Sequence, residues 1–232
     1  MLRLLPTTAV LLAACGAALA ADLPYPSQVR YAIYRGGSVI GQHTIKFEHK
    51  GPLQVVTIDC EIEVRALGVS AYRYVHRGRE EWNGEQLQSM RASTDDNGQR
   101  FSVTAEHRGG NLMVERTAPA KTSTAAVADL GYQGPNVSRE AVPAGLMPTS
   151  QWNFRQVQQT ALLNTQLGTV AQVQVTPAGR ETVQTTSGTI SATRYRYTGD
   201  LRMDQWFDDR GRWVKGTFSA FDGSTIEYIL QE

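Results

Sequence analysis

The chain has 232 residues, 41% of them hydrophobic, with 23 Lys+Arg against 22 Asp+Glu and a formal net charge of +1. That balance argues against a nucleic-acid-binding domain or a polybasic membrane patch, and the apolar share is too high for a disordered chain. Two cysteines exclude a disulfide-dense scaffold and every multi-cysteine zinc module.

The chain opens on an address. Arg3 is the only charged side chain before Asp22, and residues 4–14 are mostly apolar but far short of the roughly 20 residues a spanning helix needs. Ala18-Leu19-Ala20 is an A-x-A cleavage site, so residues 1–20 read as a secretory signal peptide and 21–232 as one mature domain. The cut removes Arg3 and no acid, leaving the mature chain formally neutral. A competing cut stands beside it. Leu12-Ala13-Ala14-Cys15 matches a bacterial lipobox, which would acylate Cys15 and make the protein an outer-membrane lipoprotein. Both cuts predict a periplasmic or secreted protein, and no later run approaches transmembrane length.

Period-2 alternation dominates from there on. In residues 54–66 the even positions are Gln, Val, Ile, Cys, Ile, Val and Ala, and the odd positions from 57 are Thr, Asp, Glu, Glu and Arg. One face is buried and one is wet, as in an antiparallel sheet with a solvated side. At roughly 3.3 Å per residue such a strand reaches about 43 Å, a length that suits a strongly curved sheet or barrel. Cys60 sits on the apolar face and reads as a buried, inert thiol. Val39, Gly41, His43, Ile45 and Phe47 are predicted to share one face of an earlier strand. Phe101, Val103 and Ala105, then Ala171, Val173 and Val175, then Ile226, Tyr228 and Leu230 repeat the pattern. Turn residues such as Gly36-Gly37, Asn83-Gly84, Asn97-Gly98, Gly109-Gly110, Ser187-Gly188 and Asp222-Gly223 separate the runs. The expected fold is all-β: a single antiparallel, strongly curved sheet forming an open or closed barrel of about eleven to thirteen strands.

Residues 117–151 break the rhythm with Pro119, Pro135, Pro143 and Pro148. They predict a long irregular crossover, with one short helix near 122–130, serving as a cover for a cavity mouth or a linker between two β halves.

Motifs for chemistry are sparse. His43, His49, His76 and His107 lack metal-ligand spacing, and no nucleophile elbow, P-loop or dinucleotide fingerprint is present, so neither metal nor cofactor is expected. The densest cluster runs from Tyr72 to Trp82. On a strand Tyr72, Tyr74 and His76 share a face, and Arg73, Val75 and Arg77 the other. Tyr and His can serve as acid and base beside a carboxylate such as Asp204. The same row also reads as cross-strand packing under Arg stems, or as a ligand-lining wall inside a barrel. Asp204, Trp206 and Asp208 alternate onto one face, a pattern shared by sugar-processing carboxylate pairs and by an ordinary turn at Asp208-Asp209-Arg210-Gly211. Trp82, Trp152, Trp206 and Trp213 are either core anchors or, as a set, pocket walls.

Several stretches carry a resemblance together: Tyr34-Arg35-Gly36-Gly37-Ser38-Val39-Ile40-Gly41, Glu81-Trp82-Asn83-Gly84, Ser93-Thr94-Asp95-Asp96-Asn97-Gly98, Gly211-Arg212-Trp213, and Phe221-Asp222-Gly223-Ser224-Thr225-Ile226-Glu227-Tyr228. From about Val29 to Leu230 the chain resembles an uncharacterised family of exported bacterial β-proteins, a domain of unknown function. More distantly it is similar to LolA/LolB-type open barrels. The resemblance implies a β-rich exported domain and no agreed catalytic residues. The expected function is non-catalytic binding of an apolar or amphipathic small molecule or lipid in the concave face, with Tyr72, Tyr74, Trp82, Trp152 and Trp206 as ligand contacts. The alternatives are a metal-free lyase or hydrolase acting on an envelope or extracellular polymer through Tyr72, Tyr74, His76 and Asp204, and a structural partner of an envelope protein pairing through a free sheet edge.

Overall fold

The computed structural model describes residues 23–119, 136–220 and 222–231. The leader, Cys15 and the helix expected near 122–130 lie outside the described residues. Seven strands follow one another as hairpins: β1 (Gln28–Arg35), β2 (Ser38–Lys50), β3 (Leu53–Ala66), β4 (Val69–Asn83), β5 (Gln86–Asp96), β6 (Gln99–Arg108) and β7 (Asn111–Ala118). Then come β8 (Asn136–Pro143), the short β9 (Met147–Pro148), a 3-10 turn at Phe154–Gln158 and β10 (Ala161–Leu163). A second meander ends the chain: β11 (Val170–Thr185), β12 (Gly188–Gly199), β13 (Met203–Asp208), β14 (Trp213–Ser219) and β15 (Thr225–Gln231). Glycine or asparagine in the left-handed region supplies the tight connections, as at Gly36, Gly37, Asn97 and Gly98.

All fifteen strands join one sheet in the order β8 to β1, then β15 down to β9. The pairing of β1 with β15 fuses the two meanders, and every ladder is antiparallel except β9 with β10. The order itself dictates the shape. Laid flat, fifteen strands would be roughly 67 Å across. Yet the two ends of the sheet, β8 and β9, are joined by residues 144–146 alone, a link that reaches at most about 14 Å. The sheet therefore bends round almost to meet itself, closed at the seam by chain and not by a ladder. The count exceeds the expected eleven to thirteen because β8 forms inside the Pro-rich stretch and because β9 and β10 are too short to show a period. Pro143 is tolerated because it ends β8 at the sheet's edge.

One face assignment shifts. His43, Ile45 and Phe47 are buried, but Val39 is exposed and Ile40 turns inward. The β1–β2 register slips between Ile33 and Tyr34, so Ile40 is an extra residue that reverses the alternation.

The interior is half filled. Between β9 and β10 the chain leaves the sheet and packs across the concave face, through Trp152 and Phe154. Leu162 and Leu163 are fully buried in a core that also holds Val56, Val103, Tyr197 and Leu230 from both meanders. Each such side chain contributes roughly 1.5–3 kcal/mol of burial. Trp152 packs edge-on against Trp82 at 5.7 Å and Phe47 at 5.7 Å, and Phe154 meets Phe207 at 5.1 Å. Tyr25 ties this segment to the barrel, donating to the Trp152 carbonyl at 2.7 Å and accepting from the Trp213 N–H at 2.8 Å.

Close packing continues at β14. A Cβ on Gly216 would lie 2.7 Å from the Trp213 ring, which Tyr31 stacks from 4.3 Å. Gly216→Ala is expected to lower unfolding free energy by about 1–3 kcal/mol through overpacking. Chemical denaturation reads this directly, and an unchanged midpoint would mean the ring yields.

Candidate functional site

The half of the barrel left unfilled is a cavity of about 760 Å³. Its walls come from β1 to β5 and β13 to β15, and its floor from residues 149–151 and 164–166. Of its lining residues Arg35, Val64, Tyr72, Phe218 and Asp222 lie near hairpin ends and are partly or fully exposed, which puts its mouth on that side. Ile40, Ile58, Ile62, Val64 and Ile226 give it a greasy lining, because the inward positions of a period-2 strand are the apolar ones.

Tyr72, Tyr74 and His76 do share the cavity side of β4. The carboxylate beside them is Asp96, not Asp204. Tyr72 donates to Asp96 Oδ1 at 2.8 Å, Gln166 Nε2 donates to Asp96 Oδ2 at 3.3 Å, and Tyr74 donates to Gln166 Oε1 at 3.2 Å. This chain of bonds pins the 164–168 loop to the wall. Burial, helped at Tyr72 by the Asp96 bond, holds both phenols well above the usual tyrosine range. His76 Nδ1 is 2.8 Å from Thr94 Oγ1.

Asp204 borders the cavity but its carboxylate is taken by Arg194 and by Arg196 at 3.4 Å. Asp208 caps its own turn, accepting from the backbone N–H of Arg210 at 3.0 Å and of Arg212 at 2.9 Å. The two carboxylates are thus committed to arginine and to a turn, and the sugar-processing reading loses its acid/base pair. Trp206 does not line the cavity but is buried in a separate cluster with Val183, Ala192 and Val214, donating to Glu181 at 2.8 Å with Arg194 and Lys215 each 5.2 Å from its ring centre. Trp82 and Trp152 belong to the packed half. Both donate to Glu80 Oε2, at 2.9 and 3.0 Å, and neither lines the large cavity. Trp82 borders a smaller cavity of about 330 Å³. Of the expected ligand contacts, Tyr72 and Tyr74 remain. Trp213, the fourth tryptophan of the expected pocket-wall set, does line the cavity, and the lining residues not singled out from sequence are His43, Asp96, Gln166, Gln205 and Tyr228, which come together only through pairings between distant strands.

Cys60 is a free, buried thiol 3.7 Å from Tyr228 Oη, and burial pushes it up to about 12, so it is inert at neutral pH. Burial pulls His43 down to about 3, with His76 adding to the shift, and pulls His76 down to about 4, with Arg77 adding. Both rings are neutral in the folded protein near pH 7. The folded state therefore binds fewer protons than the unfolded chain below pH about 6.5, and stability falls as pH drops from there toward about 3. A loss of a few kcal/mol is expected between about pH 6.5 and 4. Denaturant midpoints measured across that range should flatten in His76→Phe, and an unchanged slope would remove the histidines from the explanation.

A family model described as a domain of unknown function (DUF6134) matches residues 31–231, so the chain belongs to that family. No curated protein matches it. Among solved structures it is similar to a β-barrel-like protein of another domain of unknown function, DUF1849, from Brucella abortus. The identity is 10% and the TM-score 0.56, covering 88% of this chain and 94% of that one. At that identity the likeness is one of fold.

Proposed function

For this member of the DUF6134 family, we propose a non-catalytic role: holding an apolar or amphipathic small molecule or lipid inside the barrel. One observation carries the reading. A cavity of about 760 Å³, with Ile40, Ile58, Ile62, Ile226 and several aromatic rings among its lining residues, runs along one side of the barrel interior. That size and lining fit a single guest molecule. Catalysis is poorly served by the groups in reach. The phenols are held protonated, the histidines are held neutral well below their working range, and Asp96 is fully engaged by Tyr72 and Gln166. Export to the periplasm or beyond belongs to the same proposal and is supported by the leader pattern of residues 1–20; the choice between cleavage after Ala20 and acylation of Cys15 goes with it.

Titration with N-phenyl-1-naphthylamine, whose fluorescence rises in apolar surroundings, tests the reading. Saturable binding of one molecule per chain at micromolar concentration is expected. Absence of saturable binding would overturn it.

A further inference from the structure

The cavity is not uniformly greasy. At its inner end four polar side chains gather: His43 on β2, His76 on β4, Gln205 on β13 and Trp213 on β14. Each is more than nine-tenths buried. Both ring nitrogens of His43, Trp213 Nε1 and Gln205 Oε1 have no hydrogen-bond partner among the described residues. His76 spends Nδ1 on Thr94. The groups are neighbours. The His43 and Trp213 rings meet edge-on at 5.8 Å, and Gln205 pairs with Gly216, which lies against the Trp213 indole.

Buried polar atoms are nearly always satisfied, because an unmade bond costs about 1–3 kcal/mol. Several together, bordering one cavity, constitute a subsite that still has hydrogen bonds to make. Resting on the binding role proposed above, we infer that the inner end of the cavity receives the uncharged, hydroxyl-bearing head of an amphipathic molecule, whose hydrocarbon tail lies along the isoleucine-rich wall toward the mouth. A hydroxyl gives one proton and accepts two. It can accept from Trp213 Nε1–H, donate to Gln205 Oε1, and use either histidine in whichever tautomer completes the set. These polar atoms are not themselves exposed to the void, so making the bonds requires the side chains to turn toward it.

The charge of the head follows from the same groups. Both histidines are neutral, and among the described residues no cation lines this end: Arg35 is paired with Asp222, Arg77 beside His76 is paired with Asp59 and Glu61, and Arg194, Arg196 and Lys215 are engaged with Asp204 and Glu227. A carboxylate or phosphate head placed here would be buried without a countercharge. Placed at the mouth instead, it would leave the inner polar atoms unmet.

The test is displacement of bound N-phenyl-1-naphthylamine by 1-decanol and by decanoate at about pH 8, in wild type, His76→Phe and Gln205→Met. The expected result is that decanol displaces the probe at least tenfold more effectively than decanoate in wild type. In each variant decanol affinity, taken relative to that variant's own affinity for the probe, should fall about tenfold, the worth of one buried hydrogen bond. Equal displacement by the two compounds in wild type overturns the inference while leaving the binding role intact, and needs no variant to fold. Variants that keep the full preference for decanol overturn it too. Failure of the probe to bind wild type removes both.

Discussion

Replacing Glu80 with alanine is expected to destabilise the protein by about 4 kcal/mol, the largest effect of any single polar substitution in the fold. Glu80 is buried on the inward face of β4, and its Oε2 accepts from two indoles, Trp82 in the sheet and Trp152 in the segment that crosses the interior. Alanine leaves both N–H groups buried and unpaired and opens a hole between two rings packed edge to edge at 5.7 Å. Because Trp152 holds the crossing segment against the sheet, tryptophan fluorescence should also shift to the red. Glu80→Gln keeps a carbonyl oxygen for both indoles and should stay within about 1 kcal/mol of wild type.

The pH dependence separates the two forms of the acid. Burial holds the Glu80 carboxyl above its usual 4.5, so the folded state retains a proton the unfolded chain has released. That contribution is complete below 4.5 and is lost as pH rises through the folded value. Glutamine mimics the protonated form permanently. The stability of Glu80→Gln relative to wild type should therefore climb as pH rises. A difference that is flat with pH would show that the carboxyl is ionised at ordinary pH.

The second large effect falls on binding. Val64→Trp should lower affinity for N-phenyl-1-naphthylamine at least tenfold while moving the unfolding midpoint little. Val64 is half-buried, lines the cavity and stands where it opens, so an indole there has room to turn into the void without displacing packed neighbours. Filling a guest's space removes its apolar contacts, and binding energy in such pockets is mostly apolar burial. Unimpaired probe binding in a folded variant would place the probe elsewhere on the molecule.

How far the sequence led differs between wall and filling. The alternation in residues 54–66 marks β3, and the inward facing of Tyr72, Tyr74 and His76 follows from the same period, because a half-buried strand writes its two faces into alternate residues. The reversal at Ile40 is invisible there, since a bulge is one extra residue whose sign is set by the partner strand. The crossing segment was hidden for another reason. Residues 149–160 and 164–168 obey no period, being held by single contacts such as Trp152 to Glu80 and Gln166 to Asp96, and β10 between them has only three residues. Asp204 illustrates the limit most plainly. Its place one strand position before Gln205 is legible, but which of the two faces inward depends on Arg194 and Arg196, which claim the aspartate from the outside. The inner polar cluster draws on β2, β4, β13 and β14, which become neighbours only when β1 pairs with β15 and the sheet bends round.

Native mass spectrometry of the full chain, expressed in a bacterial host and purified without detergent, addresses the hollow half of the barrel most directly. The expected spectrum shows protein carrying one guest of roughly a few hundred daltons, the size such a cavity accommodates, released intact on collisional activation and recovered as an uncharged amphipath. A spectrum of bare protein alone, from preparations that also fail to take up added N-phenyl-1-naphthylamine, would contradict a binding role for the cavity.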